Sequence, residues 1–168
     1  MYSSYIQEAA AAMADRMNQS PVPLYGSTLR LPNRQAVILL IKETRKLMFP
    51  AYFGDPELMS LAPADYAALI LERVEAQLRA QIALALPESE ADRAAEVARE
   101  IIERMPYIQE MLLKDLDATF DGDPAAASKE EVIFAYPGLF AIFVYRIAHE
   151  LYLRKIPMIP RIMTEYAH

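Results

Sequence analysis

Apolar residues recur at three- and four-residue intervals along nearly the whole chain, and prolines rather than glycines punctuate the runs. Alternating β-branched stretches are almost absent, while Ala, Leu, Glu, Arg and Met are frequent. The pattern predicts an all-α, multi-helix chain of about seven helices. The first, near Tyr5 to Asn18, places Ile6, Ala9, Ala10, Met13 and Met17 on one stripe. Ser20 to Pro32 separates it from the rest, so residues 1–30 read as an N-terminal helix and linker and 31–168 as the main helical domain. The isolated helix reads as a lid or an oligomer contact.

Asn33 is the expected N-cap of a second helix that Pro50 ends, with Ile38, Ile41, Leu47 and Met48 as core candidates. A loop through Tyr52, Phe53 and Gly54 leads to a third helix from Pro63 to Leu86, closed by Pro87. Ser89 is the expected cap of a fourth helix, and Met105-Pro106 marks its break. A fifth helix runs from Tyr107 to Thr119 and gives out at Phe120. Ser128 with Glu131 three residues later forms a capping-box pattern that starts a short helix toward Tyr136. Pro137 suits the first turn of the next helix, which extends to about Lys155. Ile156-Pro157 opens a terminal helix that Pro160 interrupts.

Composition narrows the function classes. At 168 residues and 54% hydrophobic content the chain can bury one core. The absence of cysteine excludes thiolate metal sites and disulfides, and suits a reducing, cytoplasmic setting. The N-terminus has no basic region or continuous apolar core of a signal peptide. The apolar stretch from Val132 to Tyr145 falls short of the roughly 18 residues that span a bilayer and is broken by Pro137 and Gly138, so no membrane is expected as partner. A net charge of −6 without a basic run argues against nucleic acid.

Candidate chemistry concentrates in Asp115, Asp117, Asp121 and Asp123, which stand within nine positions. Such a cluster is tolerated if its side chains diverge into water or if a cation sits among them. Asp117, Thr119, Asp121 and Gly122 match the first, third, fifth and sixth positions of a calcium loop. Ser128 stands where the loop needs a bidentate glutamate, and the oxygen count is too low. No metal is therefore assigned. His149, one turn from Tyr145, reads as a structural histidine bonded to that tyrosine or to a carboxylate such as Glu165. Arg146 and Glu150 read as an i,i+4 pair. The aromatics Phe134, Tyr136, Phe140, Phe143, Tyr145 and Tyr152 exceed what one internal face requires and predict an interface.

AYPGLFAIFVYRIAHELYLRKIPMIPRIMTEYAH, Ala135 to His168, resembles the segment that leads into the catalytic domain of serine O-acetyltransferases. LPNRQAVILLIKETRKLMFPAYFG, Leu31 to Gly54, resembles the early helix and loop of a bacterial subgroup of that family. The family carries an Asp-Pro-Ala motif sixteen positions, both ends counted, before the glycine that opens its long YRIAH-type helix; Asp123-Pro124-Ala125 and Gly138 keep that spacing.

The resemblance implies transfer of an acetyl group from acetyl-CoA to the L-serine hydroxyl, in cysteine biosynthesis. It implies that Asp123 helps hold the amino acid, for which the inhibitor cysteine competes. A carboxylate suits the compact, three-donor ammonium of serine. In the family the general base and the acetyl-CoA site lie on a following left-handed β-helix of hexapeptide repeats. No catalytic and no cofactor-binding residue is assigned in this chain, and acetyl-CoA is implied only as co-substrate of the full enzyme. The expected role is assembly, as a homo-oligomer through helical faces, plus part of the serine pocket, with no activity alone. The competing expectation is a non-catalytic helical interaction module.

Overall fold

A computed structural model describes residues 2–26 and 29–168; residues 27 and 28 of the Ser20–Pro32 connection lie outside the described residues. Among these residues there is no strand. The architecture is all-α, with eight α-helices and two short 3-10 turns. The chain divides into two compact units, residues 1–31 and 32–168. The first contains α1 (Ser4–Gln19), which has no buried residue.

The second unit begins with α2 (Arg34–Met48). The Asn33 side chain accepts from the Ala36 N–H at 3.0 Å, as the sequence predicts. Pro50 ends this helix and starts another: α3 (Pro50–Phe53) occupies the expected loop, because proline at a first turn gives up an N–H that would have no partner there. Gly54 follows, and a Cβ on it would lie 2.5 Å from the Pro50 carbonyl and 2.8 Å from the Tyr66 hydroxyl. Only glycine fits that approach. Then come α4 (Pro63–Ala85) and α5 (Arg93–Gly122).

The break expected at Met105-Pro106 does not occur: α5 runs unbroken for 30 residues with Pro106 inside it. Val97, Ile101, Met105, Ile108, Leu112 and Leu116 are all buried, on a stripe that keeps phase through the proline. An interior proline costs about 3 kcal/mol, whereas each such burial contributes about 1.5–3 kcal/mol. Pro106 itself is exposed, so the Ile102 carbonyl that loses its partner lies near water. Ser89 does not cap this helix. It sits in the 3-10 turn Glu88–Glu90, and the helix begins at Arg93 without a side-chain cap.

A variant of the expected capping box forms at α6 (Lys129–Ala135), its return bond reaching the residue before the N-cap. Ser128 Oγ accepts from the Glu131 N–H at 3.1 Å, and the Glu131 carboxylate reaches back to the Ala127 N–H at 2.8 Å. Pro137 pushes Tyr136 into an extended conformation, so α7 (Pro137–Leu153) leaves α6 at 69°. No single helix among the described residues is long and apolar enough to cross a membrane. Pro160 does not interrupt the terminal helix but lies in the first turn of α8 (Ile159–Ala167).

In this unit α4 lies between α2 and α5, while α7 packs on both α5 and α8, and α2 also meets α8. One core results, with Ile41, Ile70, Ile82, Leu112, Leu151 and Ile159 fully enclosed. The turn between α7 and α8 is strained. Lys155 has φ 57°, and its N–H donates to the Tyr152 carbonyl while the Ile156 N–H donates to that of Leu151. That is a Schellman ending with a lysine where glycine is favoured, stabilised by burial of both Ile156 and Leu151. Met158, at φ 61°, centres a γ-turn in which the Ile159 N–H donates to the Pro157 carbonyl at 2.6 Å.

Lys155→Gly should therefore stabilise the chain by about 1 kcal/mol, raising the melting temperature by about 2–4 °C in a calorimetric scan. Gly54→Ala should destabilise it by about 1–3 kcal/mol through overpacking, whereas Gly138→Ala, which meets nothing within 4 Å, should be neutral or stabilising by up to about 1 kcal/mol. Chemical denaturation of the two variants reads that contrast.

Candidate functional site

The carboxylates that the sequence groups together do not form one cluster. Asp115, Asp117 and Asp121 lie on the last two turns of α5, which extends past the expected end at Phe120 to Gly122. On a helix Asp117 and Asp121 share a face but Thr119, two positions from each, leaves on the opposite side, so the three oxygens cannot converge and the calcium-loop spacing loses its meaning. Asp115 takes a two-pronged bond from Arg146 of α7, with Nη2 to Oδ1 at 2.7 Å. Asp117 pairs with Lys129 at 2.7 Å. The Thr119 hydroxyl donates to the Asp115 carbonyl at 2.7 Å. Among the described residues no three acidic or imidazole groups converge as a metal site would require.

Asp123 stands apart from the others. It is the residue that ends α5, half-buried, in an extended conformation. One carboxylate oxygen accepts from the Ala125 N–H at 2.9 Å, and the other from the Tyr136 hydroxyl at 2.9 Å. The Ala126 N–H donates to the Asp123 carbonyl, closing the turn. Pro124 favours that turn, since its ring fixes φ at the position where the chain must bend. The bond from the Ala125 N–H, and then that from Tyr136, hold the Asp123 carboxyl below its usual range. The result is an ionised group of fixed orientation, each oxygen retaining room for a further donor.

The expected Arg146–Glu150 pair is absent, because both side chains find better partners on other helices. Arg146 goes to Asp115, and Glu150, only 7% exposed, bonds to Arg104 of α5 at 3.2 Å and to Arg154 at 2.7 Å. Arg154 also holds Glu100 at 2.7 Å. A nearly buried carboxylate with two guanidiniums is compensated, and removing one partner would leave a costly charge. Glu150–Arg154 keeps i,i+4 spacing, but the pairs that join α5 to α7, Arg146–Asp115, Arg104–Glu150 and Arg154–Glu100, have no signature in sequence spacing.

His149 is exposed, and its ring stacks between Tyr145 at 5.7 Å and Tyr152 at 6.4 Å. Its contact with Tyr145 is therefore ring on ring, and Glu165 pairs with Arg161 instead. The three rings line one wall of an open groove of about 900 Å³ whose other side is formed by Met158, Pro160 and Arg161. Of the aromatics expected to exceed the core, Phe143 is buried, Tyr136 and Phe140 are half-buried, and Phe134, Tyr145 and Tyr152 are largely exposed.

A helical unit whose longest helix ends in a short Asp-Pro-Ala turn, with no strand among the described residues, defines a class of all-α domain. Comparison identifies which. The model of the N-terminal region of serine acetyltransferase matches residues 54–143. The plasmid serine acetyltransferase of Synechococcus elongatus is 32% identical over 151 residues, covering 82% of this chain and 47% of that protein. The serine acetyltransferase of Bacillus subtilis is 51% identical over 55 residues, 33% of this chain and 25% of that one. Native serine acetyltransferase 1 from Entamoeba histolytica superposes with a TM-score of 0.66 at 25% identity, covering 98% of this chain and 59% of its own.

This chain belongs to the serine acetyltransferase family and corresponds to its N-terminal helical region. It spans about half the length of the Synechococcus elongatus plasmid enzyme, and its match to the Bacillus subtilis enzyme covers 25% of that protein.

Tyr136→Phe should raise the Asp123 carboxyl toward its ordinary value, which an NMR pH titration of that side chain would read. The sign follows from linkage. A carboxyl depressed in the folded state contributes stability above its unfolded value of about 3.9, and loses it as pH falls through the folded value. The variant should therefore depend less on pH in that acidic window.

Proposed function

We propose that this chain serves as the assembly and serine-pocket part of a serine O-acetyltransferase, which transfers an acetyl group from acetyl-CoA to L-serine. The single observation that supports the pocket role is the Asp123 carboxylate. It is ionised, held by the Ala125 N–H and the Tyr136 hydroxyl, and partly open to solvent. An α-ammonium is a compact cation with three donors, and charge-assisted bonds to a preoriented carboxylate are stronger than neutral ones. Because the partners within the chain already fix the side chain, little rotamer entropy is lost on binding.

The chemistry of transfer requires a base to take the serine hydroxyl proton as the oxygen attacks the thioester. Neither histidine of this chain is suited to that task. His149 is stacked between two tyrosine rings on a helix surface, and His168 is an exposed residue at the C-cap of α8. The 168 residues by themselves are on this reading inactive, and supply binding of the amino acid rather than the base. Exposed Phe134, Tyr145, Tyr152 and Leu153 support a role in self-association, since apolar surface of that extent marks an interface. A cytoplasmic location fits a biosynthetic enzyme of this family.

Asp123→Asn in a complete enzyme carrying this domain should raise the KM for serine by about 10- to 100-fold, the worth of one charge-assisted bond. The KM for acetyl-CoA should be unchanged. Serine kinetics identical to those of the unaltered enzyme would remove Asp123 from the pocket.

A further inference from the structure

Arg45 of α2 is a half-buried guanidinium with no carboxylate partner among the described residues. The other arginines of the helical core contrast with it: Arg146 and Arg154 each hold an acidic group at 2.7 Å. The adjacent Lys46 is engaged by Glu43 and Asp55. Arg45 instead lies 3.6 Å over the ring of Phe53 and 5.0 Å over that of Phe140. Its one hydrogen bond, from Nη2 to the Ile133 carbonyl, is long at 3.4 Å. Burial pulls this guanidinium below its usual value, and the phenol of Tyr166 alone acts in the other direction.

A guanidinium carries five N–H donors. One of those of Arg45 is engaged by the Ile133 carbonyl, and none of its nitrogens is both fully enclosed and unpartnered, so the remaining donors can be reached by a ligand from solvent. The aromatic faces attract the cation, but rings cannot accept the in-plane hydrogen bonds of the guanidinium fork. Two phenylalanine rings lie against it, and further aromatic rings flank these. Phe134 stacks on Phe53 with ring planes 1° apart and is itself 68% exposed, and Tyr166 meets the edge of Phe140.

We propose that Arg45 anchors a binding site for a small monocarboxylate whose apolar body lies against Phe134. A carboxylate matches the planar fork through two parallel bonds. One uncompensated cation neutralises one negative charge, so a monovalent acid fits and a divalent phosphate leaves charge unpaired. The aromatic surroundings favour an acid with a hydrophobic body over a bare oxyanion. This site does not involve Asp123, and its standing is independent of the serine-pocket reading.

Benzoate is the probe, titrated into the 168-residue chain against chloride at constant ionic strength. Binding to the folded state alone should raise the melting temperature by about 2–4 °C at saturating benzoate. Phosphate should raise it less. Arg45→Met keeps an unbranched stem for packing and removes the fork; it should abolish the benzoate shift, and Phe134→Ala should diminish it. No shift in the unaltered chain, or an equal shift in Arg45→Met, overturns the site. A phosphate effect as large as that of benzoate overturns the ligand class. A melting temperature that climbs with protein concentration without benzoate, and does so only while Arg45 is present, assigns the carboxylate to a second copy and overturns the small-molecule reading. Should Arg45→Met fail to fold, NMR of the unaltered chain decides: benzoate must shift the Arg45 Nε–H and the Phe53 and Phe134 ring signals, and unmoved signals overturn the proposal.

Discussion

The apolar stripe of α5, from Val97 to Leu116, is the surface on which this domain is built. It meets α4 on one side and α6 and α7 on the other, and three of its members, Ala98, Ile101 and Leu112, are completely enclosed. Helices this long gain most of their stability from such packing rather than from intrinsic propensity. The same stripe sets the direction in which α5 delivers Asp123. A helix that had stopped at Pro106 could still have been followed by another, but the phase between its inner face and the turn at Asp123 would no longer be fixed by one rigid rod.

Charge is arranged around that rod in two ways. Asp115 and Glu150 tie α5 to α7 through arginines, with Glu150 almost out of water between Arg104 and Arg154. Pairs of this kind add specificity of register more surely than net stability, since their desolvation offsets their attraction. Asp123 differs in having no cation beside it within the described residues. Its bonds come from an amide and a phenol, which orient the carboxylate and lower its pKa without neutralising it. That is the electrostatic condition for receiving an ammonium group. Arg45 shows the converse condition, a cation set against two aromatic faces and without a carboxylate partner among the described residues.

The elements were legible wherever a local rule decided them. Asn33 and Ser128 cap their helices because their side chains reach an N–H three residues ahead, a distance set by the helix itself. Pro63 and Pro137 open helices for the same local reason. Local rules misled at Pro106, Ser89 and Pro160. At Pro106 the cost of one missing bond was set against burial supplied by neighbouring helices, and the in-phase stripe on both sides of it was the signal that outweighed the proline. At Pro160 the residue lies at a start rather than an interior, which depends on where the strained turn at Lys155 and Met158 places the new helix. Of the candidate site, Asp123 was marked by its motif, while its partner Tyr136 was not, because thirteen positions separate them in the chain.

The sequence by itself therefore determined that this protein is helical, which residues form the inner stripes, and which family it resembles. Those properties follow from periodicity and from contiguous motifs. Tertiary structure alone decided the partners of the polar groups. The two ends of α2 illustrate the reason. Gln81 of α4 accepts from the Asn33 N–H at 2.7 Å at one end, and Gln109 of α5 donates to the Met48 carbonyl at 3.1 Å at the other. A buried backbone group must be satisfied by whatever side chain the packing brings within reach, and separations of 48 and 61 positions leave no periodic trace in the chain.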